Sequence, residues 1–97
     1  MTAGFHPLAD RELTEAAAFY EARAAGLGSR FLDDADAALR VLGAHPALGR
    51  PLSATIRSLP FRRFPYSLVY EINAGRIVIL AVAHQRRRPQ YWTGRTS

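Results

Sequence analysis

Within nine residues the chain places His84, Arg86, Arg87, Arg88, Tyr91 and Trp92, directly after the apolar run Ile77-Val78-Ile79-Leu80-Ala81-Val82-Ala83. An imidazole gains and loses a proton near neutral pH and can serve as a general acid or base. Guanidiniums held on a rigid backbone grip phosphate or carboxylate oxygens two at a time. A phenol and an indole beside them can stack on a base or on an arginine. Arg57, Arg62 and Arg63 lie on or beside neighbouring strands, so they can extend the same basic surface. Each residue also has a plainer role. An arginine run is commonly a solvated surface, His84 can be bonded to backbone, Tyr91 and Trp92 can anchor the C-terminal segment on the sheet, and Arg95 can be a tail charge. Placement directly after a core strand raises the functional reading of the arginines, while both readings of His84 stay open.

The elements that position these groups follow from periodicity. Phe5-His6 reads as a short edge strand before Pro7. Ala9, Leu13, Ala16, Ala17, Tyr20 and Ala24 recur at helical spacing, with Pro7, Asp10 and Glu12 suited to a first turn and Gly26 to a stop. Phe31, Ala35, Ala38, Leu39 and Leu42 make a second helical stripe that ends by Gly43 or just before Pro46. Gly26-Leu27-Gly28 then joins an antiparallel helical hairpin. His45 to Thr55, with Pro46, Gly49, Pro51 and Ser53, reads as a connecting loop.

Ile56 to Leu59 forms a short strand closed by Pro60. From Phe64 the chain alternates: Phe64, Tyr66, Leu68, Tyr70 and Ile72 face one way, Ser67, Val69 and Glu71 the other. Asn73-Ala74-Gly75 turns the chain into residues 77–83, which are apolar on both faces and therefore covered on both. The expected fold is α+β: an N-terminal helical hairpin packed on a small antiparallel sheet, in one domain spanning residues 1–97.

Ninety-seven residues support one core but no separate cofactor domain. Hydrophobic residues at 48% against 22% charged argue for a folded globule. With no cysteine there is neither a disulfide nor a thiolate metal site, and with no lysine there is no phosphate-loop lysine and no Schiff base. His6, His45 and His84 lack metal-ligand spacing, so neither a metal nor a cofactor is expected. The longest apolar run is far short of a membrane span, and the first residues lack a signal peptide's basic start and apolar core; the expectation is a soluble cytoplasmic protein. Charge is segregated: residues 1–36 carry three arginines and seven acids, whereas residues 37–97 carry ten arginines and one acid. A basic half facing an acidic half suits a polyanion or an acidic partner meeting one side of the molecule.

The order of the pieces resembles the RelE/ParE superfamily of bacterial toxins from type II toxin–antitoxin modules. The resemblance runs from Ala9-x-x-Glu12-Leu13 and Phe19-Tyr20-Glu21, through Ile56-Arg57, Phe64-Pro65-Tyr66 and Leu68-Val69-Tyr70, to Pro89-x-Tyr91-Trp92. RelE-like members are ribosome-dependent endonucleases of messenger RNA. ParE-like members inhibit DNA gyrase and lead to DNA breaks. If the chain were RelE-like, the resemblance implies Arg86, Arg87 and Tyr91 as catalytic, the arginines holding the scissile phosphate and Tyr91 helping to activate the 2′-hydroxyl; His84, on its own chemistry, would be the other catalytic candidate for moving protons.

Ser67 stands where RelE-like enzymes carry an arginine, and the lysines before that strand are missing, with Arg62 and Arg63 as partial substitutes. Phe64-Pro65-Tyr66 and the His84-to-Trp92 ending are closer to ParE-like proteins. The resemblance therefore implies a growth inhibitor linked to plasmid stabilisation and directed at gyrase; the residues expected from their own chemistry to contact the target are Arg57, Arg62, Arg63, Arg86, Arg87, Arg88 and Trp92. A RelE-like nuclease and a degenerate, non-toxic member are the alternatives. The partner it implies is a cognate antitoxin whose acidic segment folds on binding, in a toxin–antitoxin hetero-oligomer.

Overall fold

In the computed structural model, which describes residues 2–95, the helical periodicity becomes two helices and the alternation a five-stranded sheet. The order along the chain is β1 (Thr2–Phe5), α1 (Pro7–Arg23), α2 (Leu27–Ala44), β2 (Arg50–Pro51), β3 (Ile56–Pro60), β4 (Tyr66–Asn73) and β5 (Arg76–His84). Pro7 opens α1, where a missing N–H costs nothing, and His6 Nδ1 accepts the Leu8 N–H at 3.1 Å. The helices are joined by Ala24 to Gly26, two residues earlier than the expected Gly26-Leu27-Gly28. Gly26 takes φ +86°, and the Glu21 carboxylate accepts the N–H groups of Gly26 and Gly28, both at 3.0 Å, at the start of α2. Gly28 instead lies within α2, where a Cβ would stand 2.6 Å from the Ala17 carbonyl oxygen. Here the helices approach too closely for a side chain.

The sheet order is β1-β5-β4-β3-β2. From β2 to β5 the pairing is antiparallel, as expected, with β2 falling in the segment read as loop. β1 departs from that pattern by running parallel to β5. Two helices separate β1 from the rest of the sheet, so no hairpin dictates its direction.

Helices cover one sheet face. Phe31, Leu42, Leu68, Tyr70, Ile77 and Ile79 are fully buried there, and the rings of Tyr20, Phe31, Phe64 and Tyr66 meet edge-on or stacked at 4.8–6.2 Å. Each fully buried aliphatic side chain contributes about 1.5–3 kcal/mol. The opposite face carries a second core of Val69, Val78, Leu80 and Ala81, closed by Trp92. That lid is why β5 is apolar on both sides.

A bulge sets the faces of β5. Val69 pairs with Ala81 while Tyr70 pairs with Ile79, leaving Leu80 as the extra residue. Leu80 and Ala81 both face the second core, and alternation resumes in opposite phase, returning Val82 to the helix side. The change of phase also turns His84 toward the helix side, where its ring meets Tyr66 edge-on at 5.1 Å.

Candidate functional site

β5 ends at His84, and the chain leaves it in tight turns. The Arg87 N–H donates to the His84 carbonyl at 2.9 Å, and the Arg86 N–H donates to His84 Nδ1 at 3.0 Å. Arg86, Arg87 and Arg88 are exposed on this turn. The β3–β4 loop adjoins it, because the Gln85 N–H donates to the Pro65 carbonyl at 2.9 Å. That loop carries exposed Arg62 and Arg63, and its backbone is pinned from below: buried Asp34 accepts the N–H groups of Arg63 and Phe64, each at 2.9 Å. One end of the sheet therefore presents His84, Arg62, Arg63, Arg86, Arg87 and Arg88.

The other candidates lie elsewhere. Arg57 pairs with Tyr70 along the strands, and its Nη1 donates to the carbonyls of Ala47 and Gly49 at 3.0 and 2.8 Å. Its guanidinium thus organises the loop before β2 instead of joining the cluster. Trp92 is 9% exposed and packs under the sheet in the second core. Tyr91 is half-buried, with the Arg87 guanidinium 4.1 Å from its ring centre and that of Arg95 at 5.1 Å.

Arg95 is no tail charge. It meets Glu12 through two bonds of 2.9 and 3.1 Å, and its Nη1 also donates to the Leu80 carbonyl at 3.0 Å. Glu12 Oε1 accepts the Val82 N–H at 3.1 Å as well. The Tyr91 hydroxyl is buried beside this pair, near enough to Glu12 to feel its charge but, among the described residues, without a partner in hydrogen-bonding geometry. Burial first, then the Glu12 charge, push its pKa up to about 12 against the opposing pull of Arg95 and Arg87. Burial, followed by the neighbouring Tyr20, raises the Tyr66 hydroxyl too.

Sequence reasoning passed over Glu12 and Asp34 as site-shaping residues. Glu12 shares the inward flank of α1 with Ala9 and Ala16, and an acid there calls for a partner; that signal was legible. The partner, Arg95, was not.

Two hollows border the cluster. An open groove of about 840 Å³ runs over the sheet face away from the helices, lined in part by Arg50, Ser58, Ser67, His84, Gln90 and Trp92. A smaller hollow of about 240 Å³ lies beside α1, between Glu12, Glu15, Phe19, Tyr66, His84 and Arg87. The arrangement can bind an anion or an acidic surface with guanidiniums whose backbone is fixed. A phenol near 12 keeps its proton at neutral pH and makes a poor base.

Among the described residues no helix is long and apolar enough to cross a membrane. No curated protein matches the chain in sequence. A solved chain titled "Chromosomal ParDE TA system from P. aeruginosa" superposes with a TM-score of 0.73, covering 87% of this chain and 95% of that one at 20% identity, a likeness of fold. The family model described as "ParE toxin of type II toxin-antitoxin system, parDE" matches residues 4–89. With helices, sheet and basic sheet end all inside or bordering that span, the chain belongs to the ParE toxin family of type II toxin–antitoxin systems.

Proposed function

We propose that this chain is a growth-inhibiting toxin that binds DNA gyrase without itself catalysing a reaction, and that a cognate antitoxin neutralises it in the cytoplasm. Family membership supports the toxin role, and the similar chain's place in a ParDE system supports an antitoxin partner. Arg62, Arg63, Arg86, Arg87 and Arg88 form the contact surface, and their exposure on fixed backbone suits an acidic partner segment as well as a target. Arg57 and Trp92 act from behind that surface, as loop organiser and anchor.

The observation that carries the choice of gyrase over messenger RNA is the state of Tyr91. Its hydroxyl is buried, is pushed up to about 12, and lies on a ring already occupied by Arg87. A nuclease of the RelE-like kind needs that phenol free to help activate a 2′-hydroxyl. Purified chain should block supercoiling by purified gyrase and leave translated messages intact. Ribosome-dependent cleavage of a message, lost in Tyr91→Phe and Arg87→Ala, would overturn the proposal in favour of the nuclease. Unimpaired growth on expression without antitoxin would mark the chain as non-toxic.

A further inference from the structure

β1 covers the outer edge of β5 only from Arg76 to Ile79; the His6 N–H then reaches the Ile79 carbonyl and the chain turns into α1. Past that point, among the described residues, β5 has no neighbouring strand on this side. The bulge at Leu80 aims the Leu80 carbonyl and the Val82 N–H at the vacant position. Both would be orphaned beneath α1, and an unpaired buried backbone group is costly. Glu12 supplies the acceptor for Val82 and Arg95 the donor for Leu80, at 3.1 and 3.0 Å, while the two side chains lock to each other bidentately. Their side chains are only 15% and 13% exposed.

We propose that Glu12 and Arg95 are positioning residues: as a pair they stand in for the missing strand on β5, and by fastening the C-terminal segment there they set where Arg87 and Tyr91 stand. From residue 85 to residue 95 the chain has no helix or strand of its own; it is a chain of turns closed by Tyr91 N–H to Arg88, Thr93 N–H to Gln90 and Arg95 N–H to Trp92. Trp92 holds it to the sheet by packing, which fixes depth. Arg95 fixes register, because its fork must meet the Leu80 carbonyl and both Glu12 oxygens at once. The functional half of this inference rests on the gyrase reading; the positional half does not.

Residue-resolved amide exchange on the purified full-length chain, alongside gyrase supercoiling, tests it. Glu12→Ala and Arg95→Ala should speed exchange at Val82, Tyr91 and Thr93 by roughly tenfold or more, leave Leu68 and Ile77 protected, and abolish inhibition. Where Glu12→Ala unfolds the protein, Arg95→Lys keeps the charge but cannot span all three acceptors, and should loosen Tyr91 and Thr93 alone. Glu12→Gln retains an acceptor for Val82 and should keep that amide protected.

The exchanged pair E12R/R95E restores opposite charges but sets a guanidinium against the Val82 N–H and a carboxylate against the Leu80 carbonyl, so it should rescue nothing. Rescue by the exchanged pair, or exchange at Tyr91 and Thr93 unchanged in Arg95→Ala, would overturn the proposal. If the wild-type chain fails to inhibit gyrase, the target reading falls, and the exchange arm still decides the positioning.

Discussion

The Arg87 guanidinium rests 4.1 Å from the centre of the Tyr91 ring, on an exposed turn. An exposed cation–π contact of this kind stabilises by about 0.5–1 kcal/mol. Arg87→Ala should therefore cost no more than about 1 kcal/mol in urea unfolding, and Arg86→Ala less, while growth arrest and gyrase inhibition disappear in both. Larger losses of stability would make the two arginines structural.

Trp92 shows the reverse balance. Its indole closes the second core over Val69, Val78, Leu80 and Ala81. Trp92→Ala should cost about 3–5 kcal/mol by denaturant unfolding, and Trp92→Phe distinctly less. A stable Trp92→Ala protein that has lost only target binding would move Trp92 onto the contact surface.

Asp34 holds up the loop that carries Arg62 and Arg63 by accepting two N–H groups on one oxygen. Asp34→Ala leaves both donors unsatisfied and should destabilise by about 1–3 kcal/mol per orphaned donor. Asp34→Asn can offer its carbonyl oxygen to the same pair and should be milder. Equal losses in thermal unfolding would show that the charge, not the acceptor, matters.

Tyr70 sets the loop before β2: its hydroxyl donates to the Pro46 carbonyl at 2.7 Å and accepts the Gly49 N–H at 2.9 Å. A Cβ on Gly49 would collide with that same hydroxyl. Gly49→Ala should cost about 1–3 kcal/mol through overpacking, and Tyr70→Phe a similar amount through two lost bonds. In the double variant the clash with the hydroxyl is removed while the ring carbon, 2.8 Å from that Cβ, remains, so the costs should fall short of additive without vanishing.

Alkaline pH should weaken the fold. Tyr91 keeps its proton to about pH 12 when folded, against an ordinary value of 10.0, and Tyr66 is raised as well. Between those values the folded chain binds more protons than the unfolded one, so stability present below about pH 10 is lost as pH rises toward 12. Phenolate absorbance should show late-titrating tyrosine in the folded protein. Glu12→Gln, which removes the second cause of the shift but not burial, should bring Tyr91 part of the way down. Tyr91 titrating at the ordinary 10.0 would contradict the buried phenol.

Local chemistry alone made much of this molecule readable. Pro7 and the three- and four-residue spacing of Ala9, Leu13, Ala16 and Tyr20 are enough to write α1, because a helix records its buried face in a short stretch of chain. The alternation from Phe64 to Ile72 and the turn after Asn73 do the same for the central hairpin. The rigid base beneath Arg86, Arg87 and Arg88 follows from that order, and the resemblance to the family rests on it. Contacts between distant segments decided the rest. A parallel β1, an extra residue at Leu80 that re-aims His84, the diversion of Arg57 to loop carbonyls and the Glu12–Arg95 pair each depend on backbone groups left open elsewhere in the fold. No periodicity encodes those openings, since they arise only once the sheet has been assembled and one of its edges falls short.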